Sequence, residues 1–370
     1  MKALVTIQHP AHVHFFKHSI RELEARGHEV RVVAREYDVA IELLEEYGID
    51  HEVLAGRVDT TFDMVKVQLQ YEARILDIAR KWKPDVITAI GGIAAAHVSA
   101  IVGARSVVWT DSPVGSNRIT VPFADFVCTP RKFRDDFGEK HVRYDGFHEL
   151  AYLRPGYFEP DYEALREHGV DPDEPYFLLR FGTMKAHHDI GQKGMSLAVK
   201  ERLVELLSEH GEVYIMSVAK KLPDSLSQYA LQIPVHLSHS LLDAADMFVT
   251  DTHTMATESA ILGTPVIRTN SFAGEGDMSN FVEFQERYGL MYSTPDGEEA
   301  VEKARSWLER PESERDIEQR RRRLLAETID VARFVTDAVE IAGSPDATPA
   351  DVRRVRDADP VRRPTERNPA

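Results

Sequence analysis

Short apolar runs, each followed by an amphipathic stretch, recur along this chain, and their order leaves few folds open. Leu4–Ile7 reads as a strand, Ser19–Arg26 as a helix, and Glu29–Val33, after Gly27, as a second strand. Leu43–Tyr47 closes another helix, and His51–Leu54 is a third strand candidate. A long amphipathic stretch, Met64–Trp82, is broken by Pro84, after which Asp85–Ile90 reads as a buried strand ending in Gly91-Gly92. The small-residue helix Ala94–Val102 leads to the strands Ser106–Thr110 and Asp125–Thr129. Strands that alternate with helices join by right-handed crossovers into a parallel sheet.

The pattern lapses at Arg154-Pro155-Gly156-Tyr157-Phe158-Glu159-Pro160, a linker by composition, and then restarts. Strands are expected at Tyr176–Arg180, Glu212–Ser217, Val235–Leu237, Met247–Asp251 and Pro265–Thr269, with helices at Leu197–His210 and Ala256–Leu262. A charged helical region runs from about Glu298 to Ile341. The expected architecture is two doubly wound, Rossmann-like domains, 1–152 and 160–343, facing an interdomain cleft. Residues 344–370, rich in Pro, Asp and Arg, are expected to be a disordered tail. Ligands of such sheets bind beyond the carboxyl ends of the strands.

A length of 370 residues fits two domains, and 43% apolar with 29% charged residues describes a globular chain. The net charge of −16 argues against nucleic acid or an anionic membrane as the main partner. The single cysteine, Cys128, excludes an internal disulfide and a thiolate zinc site. No apolar run approaches the ~20 residues of a membrane span. The N-terminus reads straight into a strand without a cleavable apolar segment, so the cytoplasm is the expected compartment.

Four constellations could carry chemistry. In Asp246–Ile267 a buried strand ends in small polar residues, and a helix begins at about Thr254. The N–H groups around Thr252, His253, Thr254 and Met255, with the helix dipole, suit a pyrophosphate. Glu258, one turn in, can accept from two ribose hydroxyls. The plainer alternative makes Thr252 or Thr254 an N-cap and Glu258 a solvated acid.

Gln8–His18 holds four histidines, at 9, 12, 14 and 18, where a doubly wound sheet presents its ligand face. His12 suits a base and His9 a phosphate partner; His14 and His18 can simply belong to the helix start. Their spacing does not match a metal site, and none is expected. Gly91 and Gly92 allow a backbone to approach a ligand, and Asp111 offers a carboxylate at a strand's carboxyl end. Asp111 could equally cap a helix. In the fourth constellation Arg180, Lys185, His187 and His188 could meet a diphosphate or sugar, or form a polar loop.

At these residues the chain resembles the GT-B superfamily over roughly residues 1–340. It is similar in layout to the N-acetylglucosaminyltransferases of the lipid-linked peptidoglycan precursor and to the UDP-N-acetylglucosamine 2-epimerases, beside which an archaeal and bacterial family is its nearest home. The transferase's Ser-Glu-x-Ala-x-x-Gly-x-Pro helix matches Thr257–Pro265, which carries its ribose-binding glutamate onto Glu258. Its Gly-His-Val-x-Pro histidine falls on His12, and its Pro-Asp-Val-x-x-x-x-Gly-Gly segment on Pro84–Gly92. The epimerase's Thr-Asp-Ser-Gly-Gly-x-x-Glu-Glu stretch aligns with Thr250–Glu258. Two of its three acids, however, fall on Gly92 and Gly115, and the transferase's Gly-Gly-Ser motif is missing near Phe181.

The resemblance implies a glycosyltransferase that uses a nucleotide-diphosphate sugar, UDP-linked, without a cofactor or metal. The second domain would hold the nucleotide. The first would hold an acceptor the sequence does not identify, a lipid-linked group or a glycan, with His12 or Asp111 as base. An epimerase-like enzyme and a non-catalytic nucleotide-sugar binder are the alternatives. The sequence does not specify an oligomeric state.

Overall fold

Parallel pairing runs through both sheets of the computed structural model, which describes residues 1–56, 61–113, 115–182, 195–217, 222–271, 273–274, 277–310 and 314–357. The chain divides into two units, Met1–Tyr157 with Ala326–Ala370, and Phe158–Leu325.

The first unit is built on β1 (Lys2–Ile7), β2 (Glu29–Arg35), β3 (His51–Ala55), β4 (Val86–Ile90), β5 (Arg105–Trp109), β6 (Phe126–Pro130) and β7 (His141–Tyr144). Their spatial order is β3-β2-β1-β4-β5-β6-β7. The chain winds outward from β1 in one direction and from β4 in the other, so β1 and β4 flank the switch point. One face packs Leu4, Val33, Ile87 and Ala89 against Tyr71, Ile75, Ala94, Ala95 and Val98 of the helices Thr61–Trp82 and Ile93–Val102. The alanines of the latter helix let it sit close to the strands. On β5, Trp109 is fully buried, donates Nε1–H to Thr88 Oγ1 at 3.0 Å and meets Phe15 and Phe334 edge-on.

The second unit contains β8 (Tyr176–Phe181), β9 (Glu212–Ser217), β10 (Met247–Thr250), β11 (Val266–Thr269) and β12 (Met291–Thr294), in the order β12-β11-β10-β8-β9. Its switch point lies between β8 and β10. Leu179, Val249 and Ile267 pack there against Leu203, Leu207, Val301 and Ala304 of the helices Leu197–Ser208 and Gly297–Glu309.

The sequence reading needs correction in four places. Val235–Leu237 is a 3-10 turn leading into the helix Ser238–Asp243, not a strand. β7 and β12 escaped notice because each is a four-residue edge strand with a mixed polar sequence. The largest departure is at the C-terminus, where the charged region divides and the second unit ends at Leu325 rather than at residue 343.

Helix Val331–Ala342 packs on helix Pro10–Ala25 of the first unit. Ser19 Oγ donates to the Ala332 carbonyl at 3.1 Å, and Arg26 pairs with Asp337 at 2.7 Å and with Glu340 at 2.5 Å. Part of the expected disordered tail is also ordered, as helix Pro349–Asp357. Its buried apolar side chain is Val352, and polar contacts supply the rest. Arg353 donates to the carbonyls of Glu139 and His141, at 2.7 and 2.8 Å, and Arg356 to that of Arg143 at 2.6 Å. Residues 358–370 lie outside the described residues.

Helix Pro10–Ala25 also sets a pH response. Burial beside Lys17 and Arg21 pushes the His18 imidazole down to about 4 from 6.5, and its ring lies 4.9 Å from that of Tyr157. The unfolded chain therefore binds this proton first as pH falls. His18's contribution is complete above pH 6.5 and is lost progressively as pH drops through about 4. A His18→Gln variant should show a shallower fall in urea midpoint across that window than the parent protein.

Candidate functional site

Each unit gathers predicted residues at its own switch point. In the first, His9 lies in the loop after β1 and His12 in the first turn of helix Pro10–Ala25. His9 precedes the helix and accepts the Ala11 N–H on Nδ1 at 3.1 Å, so it is an N-cap. The Gln8 N–H donates to His12 Nδ1 at 3.3 Å. Desolvation, with His9, His148 and Arg35 nearby, holds the His12 imidazole well below its usual pKa. A neutral ring that accepts on Nδ1 carries its hydrogen on Nε2. At that nitrogen His12 can donate a hydrogen bond.

The loop after β4 brings Gly91 and Gly92, both at positive φ, +72° and +47°. A Cβ on Gly92 would come within 2.8 Å of Val108, so this glycine is needed for packing on β5. A Cβ on Gly91 would meet nothing within 4 Å, which leaves space on that side of the turn.

Asp111 follows β5, and its carboxylate is partly exposed. Its Oδ2 lies 3.7 Å from Nδ1 of His148, a residue just beyond β7 that the sequence reading missed. His148 is buried, with its ring 4.7 Å from Phe15 and stacked parallel to Tyr144. Burial lowers its pKa while Asp111 opposes the shift. The pair sets a partly exposed carboxylate beside a buried imidazole.

The second unit's switch point is tied together by Asp251. Its buried carboxylate accepts the Gly182 N–H at 2.6 Å, joining the ends of β10 and β8, and burial raises its pKa. Thr250 Oγ1 donates to the Arg180 carbonyl at 3.1 Å and accepts the Thr252 N–H at 3.0 Å. Neither Thr252 nor Thr254 caps the following helix. The residue at that position is His253, which makes no side-chain cap bond. Instead its Nε2 lies 3.2 Å from Asn270 Nδ2, which also donates to the Asp251 carbonyl at 3.1 Å. Helix Thr254–Leu262 thus opens with the N–H groups of Thr254 and Met255, which have no intrahelical acceptor.

Glu258 is not a solvated acid. It is buried, and its Oε1 lies 3.1 Å from Nε2 of His239, which is equally buried on the preceding helix. No sequence signal marked His239, because the two residues meet only through the packing of the helices. Lys200 was likewise missed. Its Nζ lies 4.4 Å above the Phe181 ring at the end of β8, and burial lowers its pKa while Asp251 opposes the shift. Lys185, His187 and His188 lie outside the described residues.

The four N-terminal histidines do not converge. His14 stacks on Tyr152 with centroids 5.1 Å apart, and His18 turns to Tyr157. Among the described residues no three His, Cys, Asp or Glu side chains are grouped as metal ligands, and no helix is long and apolar enough to cross a membrane.

The sequence matches, over residues 1–340, the model of a family described as "Protein of unknown function (DUF354)". No curated protein matches it. Among solved structures, the spinosyn forosaminyltransferase SpnP aligns with a TM-score of 0.62 at 16% identity, covering 93% of this chain and 100% of that one. The UDP-GlcNAc 2-epimerase of Neisseria meningitidis, bound to UDP-GlcNAc, gives 0.63 at 12% identity over 91% and 99% of the two chains. The glycosyltransferase SsfS6 of Streptomyces sp. SF2575, complexed with thymidine diphosphate, gives 0.59 at 16% over 92% and 99%. This likeness shows the fold, the two-domain α/β architecture of the GT-B superfamily, as the motifs implied.

Proposed function

We propose, for a chain that belongs to the DUF354 family, the function of a metal-independent glycosyltransferase that moves a sugar from a nucleotide diphosphate, in our reading UDP, to a hydroxyl of a glycan or lipid-linked acceptor. The observation that carries the proposal is the end of β10. There the N-terminus of helix Thr254–Leu262, without a side-chain cap bond from His253, stands one turn from the buried Glu258, at the switch point of a doubly wound sheet. Such a terminus suits a diphosphate, and a fixed carboxylate suits ribose hydroxyls.

In this reading Asp111 takes the acceptor's hydroxyl proton, with His148 behind it. The hydroxyl oxygen then bonds to the sugar's anomeric carbon. The bond from that carbon to the diphosphate breaks, and its electron pair leaves with the diphosphate. The helix terminus, with Arg180, offsets the charge that develops there. His12, with its hydrogen on Nε2, serves as a donor to the acceptor. The epimerase likeness supports a second reading, and deuterium entering at the sugar's C2 from heavy water would identify it.

A thermal-shift panel of UDP, GDP and TDP tests the proposal, since ligand at 100 times its dissociation constant contributes ~2.7 kcal/mol to stability. No shift with any of them would overturn it. Glu258→Gln should weaken nucleotide binding by roughly 1.5–3 kcal/mol, the worth of charge-assisted bonds, as read by calorimetric titration.

A further inference from the structure

Buried carboxylates are seldom left to find their own rotamer, and Glu258 has a specific neighbour. His239 presents Nε2 at 3.1 Å from Glu258 Oε1, both side chains only 5% exposed. The imidazole is itself held, because the Phe158 ring meets it edge-on with centroids 5.9 Å apart. His239 lies in the short helix Ser238–Asp243, and the turn of that helix is fixed in its own right. Tyr176 Oη and Thr264 Oγ1 both donate to the Leu241 and Leu242 carbonyls, respectively, at 2.6 Å, while Ser240 Oγ accepts the Asp161 N–H at 2.9 Å. The imidazole therefore reaches Glu258 from a rigid support, and it does so on the helix whose N-terminus we assign to the diphosphate.

We propose that His239 is a positioning residue for the nucleotide, acting through Glu258 to set the preference for a ligand that carries ribose hydroxyls. The proposal rests on the nucleotide reading of Glu258. Donation from Nε2 to Oε1 fixes the carboxylate's rotation, so that it meets a ligand in one direction. A hydroxyl-bearing sugar ring gains from that direction, and a ring without hydroxyls does not.

The test compares the tightest binder among UDP, GDP and TDP with its 2′,3′-dideoxy analogue, by calorimetric titration against the whole protein and its variants. The parent protein should prefer the hydroxylated nucleotide by about 10-fold or more, the worth of one to two charge-assisted bonds. His239→Leu should lose most of that preference while its affinity for the dideoxy analogue changes less than about 2-fold. His239→Gln, whose amide can still donate to Oε1, should restore most of it. Where His239→Leu does not fold, His239→Asn, too short to reach Oε1, takes its place.

Equal loss for both nucleotides, or an undiminished preference in the leucine and asparagine variants, would overturn the role of His239 and leave the nucleotide reading standing. A parent protein that binds none of the three nucleotides would overturn the nucleotide reading, and this inference with it.

Discussion

Asp277→Ala should destabilise the second unit by about 3–5 kcal/mol, the cost of leaving one member of a buried ion pair without the other. The partner is Arg268, in the middle of β11 and fully buried. Its Nη2 pairs with Asp277, its Nε donates to Ser293 Oγ at 3.2 Å, and its guanidinium lies 3.9 Å over the Phe281 ring. Desolvation already draws the Arg268 pKa down to about 10, with Asp277 opposing the shift. Without Asp277 that cation keeps its desolvation and loses its counter-charge. Urea unfolding followed by tryptophan fluorescence and by circular dichroism would read the loss. The double variant Arg268→Met with Asp277→Leu should lose less than Asp277→Ala alone, because no charge is then stranded. A change below about 1 kcal/mol in Asp277→Ala would mean the pair is not the constraint described here.

Asp111→Asn should lower sugar transfer by roughly 10²–10⁴-fold, the usual range for a lost acid–base group, with nucleotide affinity unchanged. Asparagine keeps the shape of the side chain and removes its ability to take a proton. The nucleotide's proposed anchors, Thr254, Met255 and Glu258, belong to the other unit, so their affinity should not follow. The measurement is nucleotide release from a UDP-sugar with acceptor present, set beside calorimetric titration of UDP. His12→Ala separates the two candidates in the first unit. If it lost as much activity as Asp111→Asn while His12→Gln lost little, His12 would be a donor, as its Nδ1 bond to the Gln8 N–H requires. If Asp111→Asn kept full activity, the base would lie elsewhere.

The fold was largely legible because period and punctuation agree along the chain. Gly27, Gly48, Pro84 and Gly103 fall where helices and strands give way to one another. The GT-B layout followed from motifs set in order at strand ends, and the solved structures bear it out. Short edge strands did not announce themselves, since β7 is His141-Val142-Arg143-Tyr144 and pairs with only one neighbour. The tail helix was unreadable for a different reason. Arginine-to-carbonyl bonds hold it, and they leave no apolar periodicity to count. At the site, sequence could name residues at strand ends but not the partners brought to them by packing. His148 and His239 come from segments without a motif. Glu258 was placed correctly on its helix, yet its burial became visible only with His239 beside it.

The first unit recruits its closing helices from the far end of the chain. A ribosome making this protein releases β1 to β7 well before Val331–Ala342, and the entire second unit emerges in the interval. During that time the inner side of helix Pro10–Ala25, around Ser19, lacks its cover, and the β7 carbonyls that Arg353 and Arg356 will meet stand open. Domains released early usually fold as they appear. Here the later-made unit can finish before the earlier one. The nascent chain can therefore pass through a stage with one completed lobe and one waiting lobe, when an open sheet margin is most exposed to chaperones or to neighbouring nascent chains.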